Sequence, residues 1–324
     1  MERLAPLLLL ILLSCNTQVK RGSVDSNPTD AGTTGSAQGR FVCQVLGTAQ
    51  DGGLPHLGCE KDCCRRARDE GFERLPVSLG IYDRETGGTL LVEATPAVEK
   101  QIHALATSRG RKVDARRPVD AILLTHAHIG HYAGLIHFGR EVAGTRKVPC
   151  WVSARMADFL RKNGPWSQLV QLEQIDLRIF EPGVPFEPLP GLHVTAVSVP
   201  HRDEFSDTMA FRIHGSVRTL LFLPDIDRLD ASLADTLLEG IDIAFLDATF
   251  YDGREVPGRD LSEIPHPPMI HSTKMLAARV EVAPGSIQYI HLNHSNPVHF
   301  DATLRADIVG QGYGLPHRGQ RFGF

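Results

Sequence analysis

The chain has no excess of positive charge: 34 lysines and arginines stand against 38 aspartates and glutamates, a formal net charge of −4. With no whole-chain basic field to gather polyanions, charge gives a nucleic-acid-binding role no support. There is no internal repeat of fixed period, and no low-complexity tract follows residue 39. Nor does the apolar run Leu4 to Leu13 reach the length of a mature membrane-spanning helix. What is present, 324 residues with 42% hydrophobic and 22% charged side chains, suffices for a globular chain with an ample core.

The N-terminal run has the length of a signal-peptide core, and Leu12-Leu13-Ser14-Cys15 at its end resembles the lipobox of bacterial lipoproteins. That resemblance implies a signal peptide over residues 1–15, lipidation of Cys15, and a lipid anchor at the periplasmic or extracellular face of a bacterial envelope. An ordinary signal peptide cut further on is the alternative. Residues 16–39, rich in Ser, Thr, Gly, Asn and Asp without apolar periodicity, read as a flexible linker. The folded domain is expected over residues 40–324.

Within it, strand-like runs are expected at 41–47, 77–82, 89–93, 119–124, 148–153, 192–199, 208–214, 219–223, 241–247 and 287–292. Helical patterns fall at 97–107, 154–162, 229–238 and 272–282, with a Pro-rich connection before residue 192. Strand runs with helices between them, in two halves, predict an α/β (α+β) fold in which helices cover sheets and polar residues collect where strands end.

The stretch Thr125-His126-Ala127-His128-Ile129-Gly130-His131 follows one of these apolar runs. His126 and His128, two positions apart, leave an extended backbone on the same side, and Gly130 lets the chain bend back toward His131. Three imidazoles in six residues are costly to bury unless their lone pairs are used, and neutral imidazole is a common zinc ligand. Other strand runs end in His201, Asp225, Asp247 and His291. Singly, each reads as a satisfied turn residue; together, strand ends on one edge converge in space.

In this order the residues resemble the metallo-β-lactamase-fold superfamily, whose signature is His-x-His-x-Asp-His after a strand, then a later His, an Asp and a last His. The resemblance implies an αββα sandwich with one or two metals at one sheet edge, zinc above all, with iron or manganese as alternatives. It implies a first metal site of His126, His128 and His201, and an Asp225 bridge to a second that includes His131 and His291. Two branches look closest. Residues Leu46 to Pro55 with Gly58-Cys59, and His291 to Pro297, are similar to motifs of the PQQ biosynthesis protein B group. Cys59, Cys63, Cys64 and His294 are similar in layout to a structural zinc site in the cyclic phosphodiesterases of phosphonate breakdown. Three crowded thiols at a turn suit a metal or an intrachain disulfide, and adjacent Cys63 and Cys64 reach one tetrahedral ion only from a bent backbone.

This chain departs from the signature at Gly130, where the superfamily has aspartate. The first site keeps three nitrogens and an open position, the composition of a catalytic zinc. The second loses an anionic ligand and should be weaker. Something else must then hold a nucleophilic water, Asp225 first and Asp247 second, with His266 or His271 available to protonate a leaving group. Three functions compete: a metal-dependent hydrolase of an ester or phosphodiester in a small-molecule substrate, a PQQ-biosynthesis-B-like cofactor-maturation protein with iron-dependent oxidation, and a non-catalytic metal or ligand carrier.

Overall fold

The computed structural model describes residues 39–259 and 264–324. The lipobox with Cys15, the linker, and Leu261 to Glu263 of the loop that carries His266 lie outside the described residues. In chain order the elements are β1 (Phe41–Gly47), α1 (Asp62–Glu70), β2 (Ser78–Asp83), β3 (Thr89–Val92), α2 (Val98–Thr107), β4 (Ala121–Leu123) and α3 (Ile129–Tyr132). Next come β5 (Val148–Val152), α4 (Ala154–Lys162), α5 (Trp166–Gln171), β6 (Ile175–Ile179), β7 (Pro185–Leu189), β8 (Leu192–Ser198), β9 (Met209–His214) and β10 (Thr219–Leu223). The chain ends with α6 (Ala231–Leu238), β11 (Ile243–Asp247), α7 (Met269–Met275), α8 (Ala277–Val282), β12 (Ile287–Ile290), α9 (Ala302–Gly310) and β13 (Arg321–Gly323).

Among the described residues thirteen strands form two sheets, ordered β13-β1-β2-β3-β4-β5-β6 and β12-β11-β10-β9-β8-β7. Alternation along each strand builds the layers. In β10, Leu220 and Phe222 enter the core between the sheets while Leu221 and Leu223 meet α6 to α9 on the outer face. In β4, Ala121 and Leu123 face inward, and Ile122 packs outward with residues of α2, α4 and α5. Strands buried on both faces read as unbroken apolar runs, which is why the sequence shows them so clearly. A fully buried side chain such as Phe222 contributes about 1.5–3 kcal/mol. The result is an αββα sandwich, as the resemblance implies.

The connection before residue 192 holds more structure than its prolines suggest: α5, β6 and β7. Both strands are sheet edges, where proline costs no ladder hydrogen bond, and β7 accordingly carries Pro185 and Pro188. The helix expected over 272–282 is two, broken at Leu276 (φ −93°, ψ 6°). No helix among the described residues is long and apolar enough to cross a membrane.

Strands β3 and β4 pair in parallel, and β1 reaches β3 through two antiparallel pairings, so all three point the same way. In the other sheet β8, β10, β11 and β12 do likewise. Their C-terminal ends meet at one edge. There the sheets are stitched together: Gln50 N donates to Leu292 O at 2.9 Å and Leu292 N to Thr48 O at 3.0 Å.

Candidate metal centre

Past β4, His126 is buried, His128 caps α3 with an extended backbone (φ −97°, ψ 147°), and α3 turns His131 inward. The turn is held by Ala94 N donating to His131 O at 2.8 Å and by Gly134, whose Cβ would stand 2.0 Å from Thr95 O. From β8, His201 arrives with its loop tied to the next strand end, since Asp227 N donates to Pro200 O at 2.8 Å.

The donor nitrogens of His126, His128 and His201 lie within 4.8 Å of one another. His126 Nε2 is 2.9 Å from His128 Nδ1, and His201 Nε2 is 3.3 Å from the same atom. Their opposite nitrogens are engaged: His126 Nδ1 with Thr125 Oγ1 (2.8 Å), His128 Nε2 with Glu204 (3.2 Å) and His201 Nδ1 with Asp227 (2.8 Å). Burial lowers the pKa of all three rings, leaving neutral imidazoles with lone pairs directed at one point.

Asp225 stands between this group and a second one. Its Oδ1 is 3.7 Å from His201 Nε2, and its Oδ2 is 2.9 Å from His131 Nε2 and 3.4 Å from His291 Nε2. Burial works against its charge, but the imidazoles of His291 and His131 outweigh that and hold the carboxyl well below its ordinary range. Four buried atoms here, Asp225 Oδ2, His131 Nε2, His291 Nε2 and Asp51 Oδ1, make no hydrogen bond. Orphaned buried donors and acceptors facing one another require a partner, and this mixture of nitrogens and carboxylate oxygens suits a divalent cation.

Behind them, Glu93 Oε1 is 3.5 Å from His131 Nδ1, and Thr249 Oγ1 is 2.9 Å from His291 Nδ1. Asp247 accepts from Thr249 Oγ1 (2.7 Å), Ile226 N (3.1 Å) and His266 Nδ1 (2.7 Å), and with Asp225, His266 and His291 it forms a further buried group whose ligand atoms lie within 4.8 Å of one another. His266 is buried between the groups, its ring centroid 5.4 Å from that of His201 and 5.7 Å from that of His291. Burial opposes its proton, yet Asp247 and Asp225 prevail and raise its pKa to about 9.

His271 corrects the sequence expectation. Because α7 buries Met269 and Ser272, it turns His271 to solvent, and His271 joins none of the ligand groups among the described residues. Sequence reasoning missed Asp51, Glu93, Thr249 and Asp227. Only Asp227, two residues beyond Asp225, carries a local signal.

The thiols of Cys59, Cys63 and Cys64 and a ring nitrogen of His294 also lie within 4.8 Å of one another. The required backbone bend is the start of α1, which carries both adjacent cysteines in its first turn. Their sulfurs are 4.0 Å apart, and every cysteine among the described residues is free. His294 Nδ1 is buried without a hydrogen bond, which fits a fourth-ligand role beside the three thiols.

A two-sheet sandwich with this histidine and aspartate array at one edge defines a metallo-β-lactamase-type protein. The chain belongs to that superfamily: the beta-lactamase superfamily domain matches residues 89–292. It is 27% identical over 307 residues to coenzyme PQQ synthesis protein B of Methylobacterium radiotolerans, covering 85% of this chain and 97% of that one. Among solved structures it is similar to zinc-bound PqqB from Methylobacterium extorquens (TM-score 0.74, 22% identity, 87% of this chain and 100% of that one). A diphosphatase of the PhnP family follows the same fold (TM-score 0.61, 21% identity, 88% and 97% covered).

Proposed function

We propose that the protein is a metal-dependent hydrolase acting on an ester or phosphodiester of a small molecule. The observation that carries this reading is the convergence of three neutral imidazoles, His126, His128 and His201, beside the shared carboxylate of Asp225. A divalent cation held there supplies Lewis acidity and lowers the pKa of a coordinated water from about 15.7 to near 7. The chain's residues do the rest. Asp225 fixes the distance between the two donor groups, and Asp227 holds the His201 ring. Asp247 engages His266 Nδ1 and leaves Nε2 as the atom to give a proton to the leaving group. Cys59, Cys63, Cys64 and His294 are assigned to a structural zinc that pins the loop after β1.

His128→Ala should abolish turnover of bis(p-nitrophenyl) phosphate or p-nitrophenyl esters while the far-ultraviolet circular dichroism is kept; unchanged turnover overturns the reading. The likeness to coenzyme PQQ synthesis protein B along 97% of its length favours a second reading, oxidative cofactor maturation. Iron retained after anaerobic purification, with no turnover of any ester, would select it. The lipobox supports export and anchoring through Cys15, which Cys15→Ser would release from the membrane fraction.

A further inference from the structure

Gly130 leaves no gap where the superfamily signature has aspartate. A Cβ built on it would lie 2.0 Å from Asp51 Oδ1, 2.7 Å from Asp51 Cγ and 2.5 Å from Asp51 Cα. The φ of Gly130 is not in the left-handed region, so the close approach of another chain segment, not backbone conformation, is what demands glycine. The segment that fills the space brings a carboxylate with it.

We propose that Asp51 replaces the missing motif aspartate, so that the second cation is held by Asp51, His131, Asp225 and His291. Asp51 Oδ1 is 3.3 Å from His131 Nε2 and 3.7 Å from His291 Nε2. Although the side chain as a whole is 38% exposed, Oδ1 itself is buried and unbonded, and the rings of His131 and His291 it faces are 1% exposed. Those two imidazoles outweigh the effect of burial and keep the carboxyl ionised.

The backbone fixes this placement. Ala49 bridges Leu292, and Gln50 N donates to Leu292 O, so Asp51 leaves the ladder beside the residue that follows His291. Gly53 N closes the turn on Gln50 O at 2.7 Å. Restoring two carboxylates and two imidazoles removes the reason to expect a weakened second site; the anionic ligand has moved from the histidine loop to the loop after β1. This inference rests on the reading that the edge holds two cations.

Metal-free protein titrated with cobalt(II) against a competing chelator tests it, since the thiolate-to-cobalt charge-transfer band reports the cysteine group separately. Wild type should bind two equivalents outside the thiols. Asp51→Asn should bind one of them at least about tenfold more weakly, and Asp51→Glu should retain both. Asn is the same size and still accepts hydrogen bonds, so a merely structural Asp51 would leave binding unchanged in Asp51→Asn, and that result overturns the assignment alone. Wild type binding a single equivalent overturns the two-cation reading and the assignment together. Unfolding of the metal-free Asp51→Asn protein at the wild-type midpoint establishes that the variant is folded.

Discussion

Asp227 Oδ1 lies 2.8 Å from His201 Nδ1, so the carboxylate accepts the ring's N–H and fixes the tautomer that leaves Nε2 free to face His126 and His128. Such outer partners set ring orientation and ligand basicity, and their loss costs about 10–100-fold in metal affinity. Asp227→Ala is therefore expected to weaken the first cation by that factor while the second stays at its wild-type affinity. Chelator competition measures both, and equal affinities in mutant and wild type would remove Asp227 from the site.

Gly130→Ala should be more damaging than a surface glycine replacement. The added Cβ meets a main-chain atom, Asp51 Cα, at 2.5 Å, so the loop after β1 has to move. Overpacking of this kind costs about 1–3 kcal/mol. Urea unfolding of the metal-free protein should show the loss, and the cobalt titration should show the second equivalent weakened with it. Full stability together with full binding would mean that the loop yields freely.

The contrast between these two aspartates shows what the sequence makes legible. Sheet strands, and the order of His126, His128, His131, His201, Asp225 and His291, are local patterns: an apolar run buried on both faces, then a polar residue at its end. Asp51 is invisible in that sense because its role depends on Ala49 pairing with Leu292 from the far end of the domain. Helix α1 escapes for a different reason, since only Cys64 and Ala67 of its nine residues are buried and no apolar stripe results. Helix α9 likewise buries only Ile308. His271 looked as plausible as His266 in the sequence; the phase of α7, set by Met269 and Ser272, separates them.

The thiol group should carry one zinc whose removal is felt at the histidine-rich edge. His56 N donates to Cys64 Sγ at 3.2 Å, and residue 56 closes the same loop that begins at Asp51. Burial pushes the Cys64 thiol up to about 12, so a cation that takes its place must displace a proton, and affinity should fall as pH falls. Cys63→Ser is expected to lose one equivalent of zinc by elemental analysis and to lower the melting temperature by several degrees, in line with about 1 kcal/mol shifting a domain of this size by roughly 2–4 °C. An unchanged zinc content would exclude Cys63 as a ligand.

Below neutral pH, stability should depend on His299, a ring outside every ligand group among the described residues. It is buried, and its Nε2 lies 3.0 Å from Asn293 O, so it donates to the carbonyl of the segment that joins His291 to His294. Burial and the nearby Arg74 and Arg305 lower its pKa to about 3. Unfolded, the same ring titrates near 6.5, so between those values the unfolded chain binds the extra proton. Its contribution is complete above about pH 6.5 and is lost progressively as pH falls toward 3. Other buried histidines add their own pH dependence, which is why the comparison has to be a difference between two proteins. His299→Gln keeps an N–H donor without the titration, so the stability of wild type relative to this variant should fall by about 2 kcal/mol between pH 7 and pH 5. Urea unfolding of both proteins, each free of metal, measures that difference; a value independent of pH would mean that His299 is protonated in the folded protein as readily as in the unfolded chain.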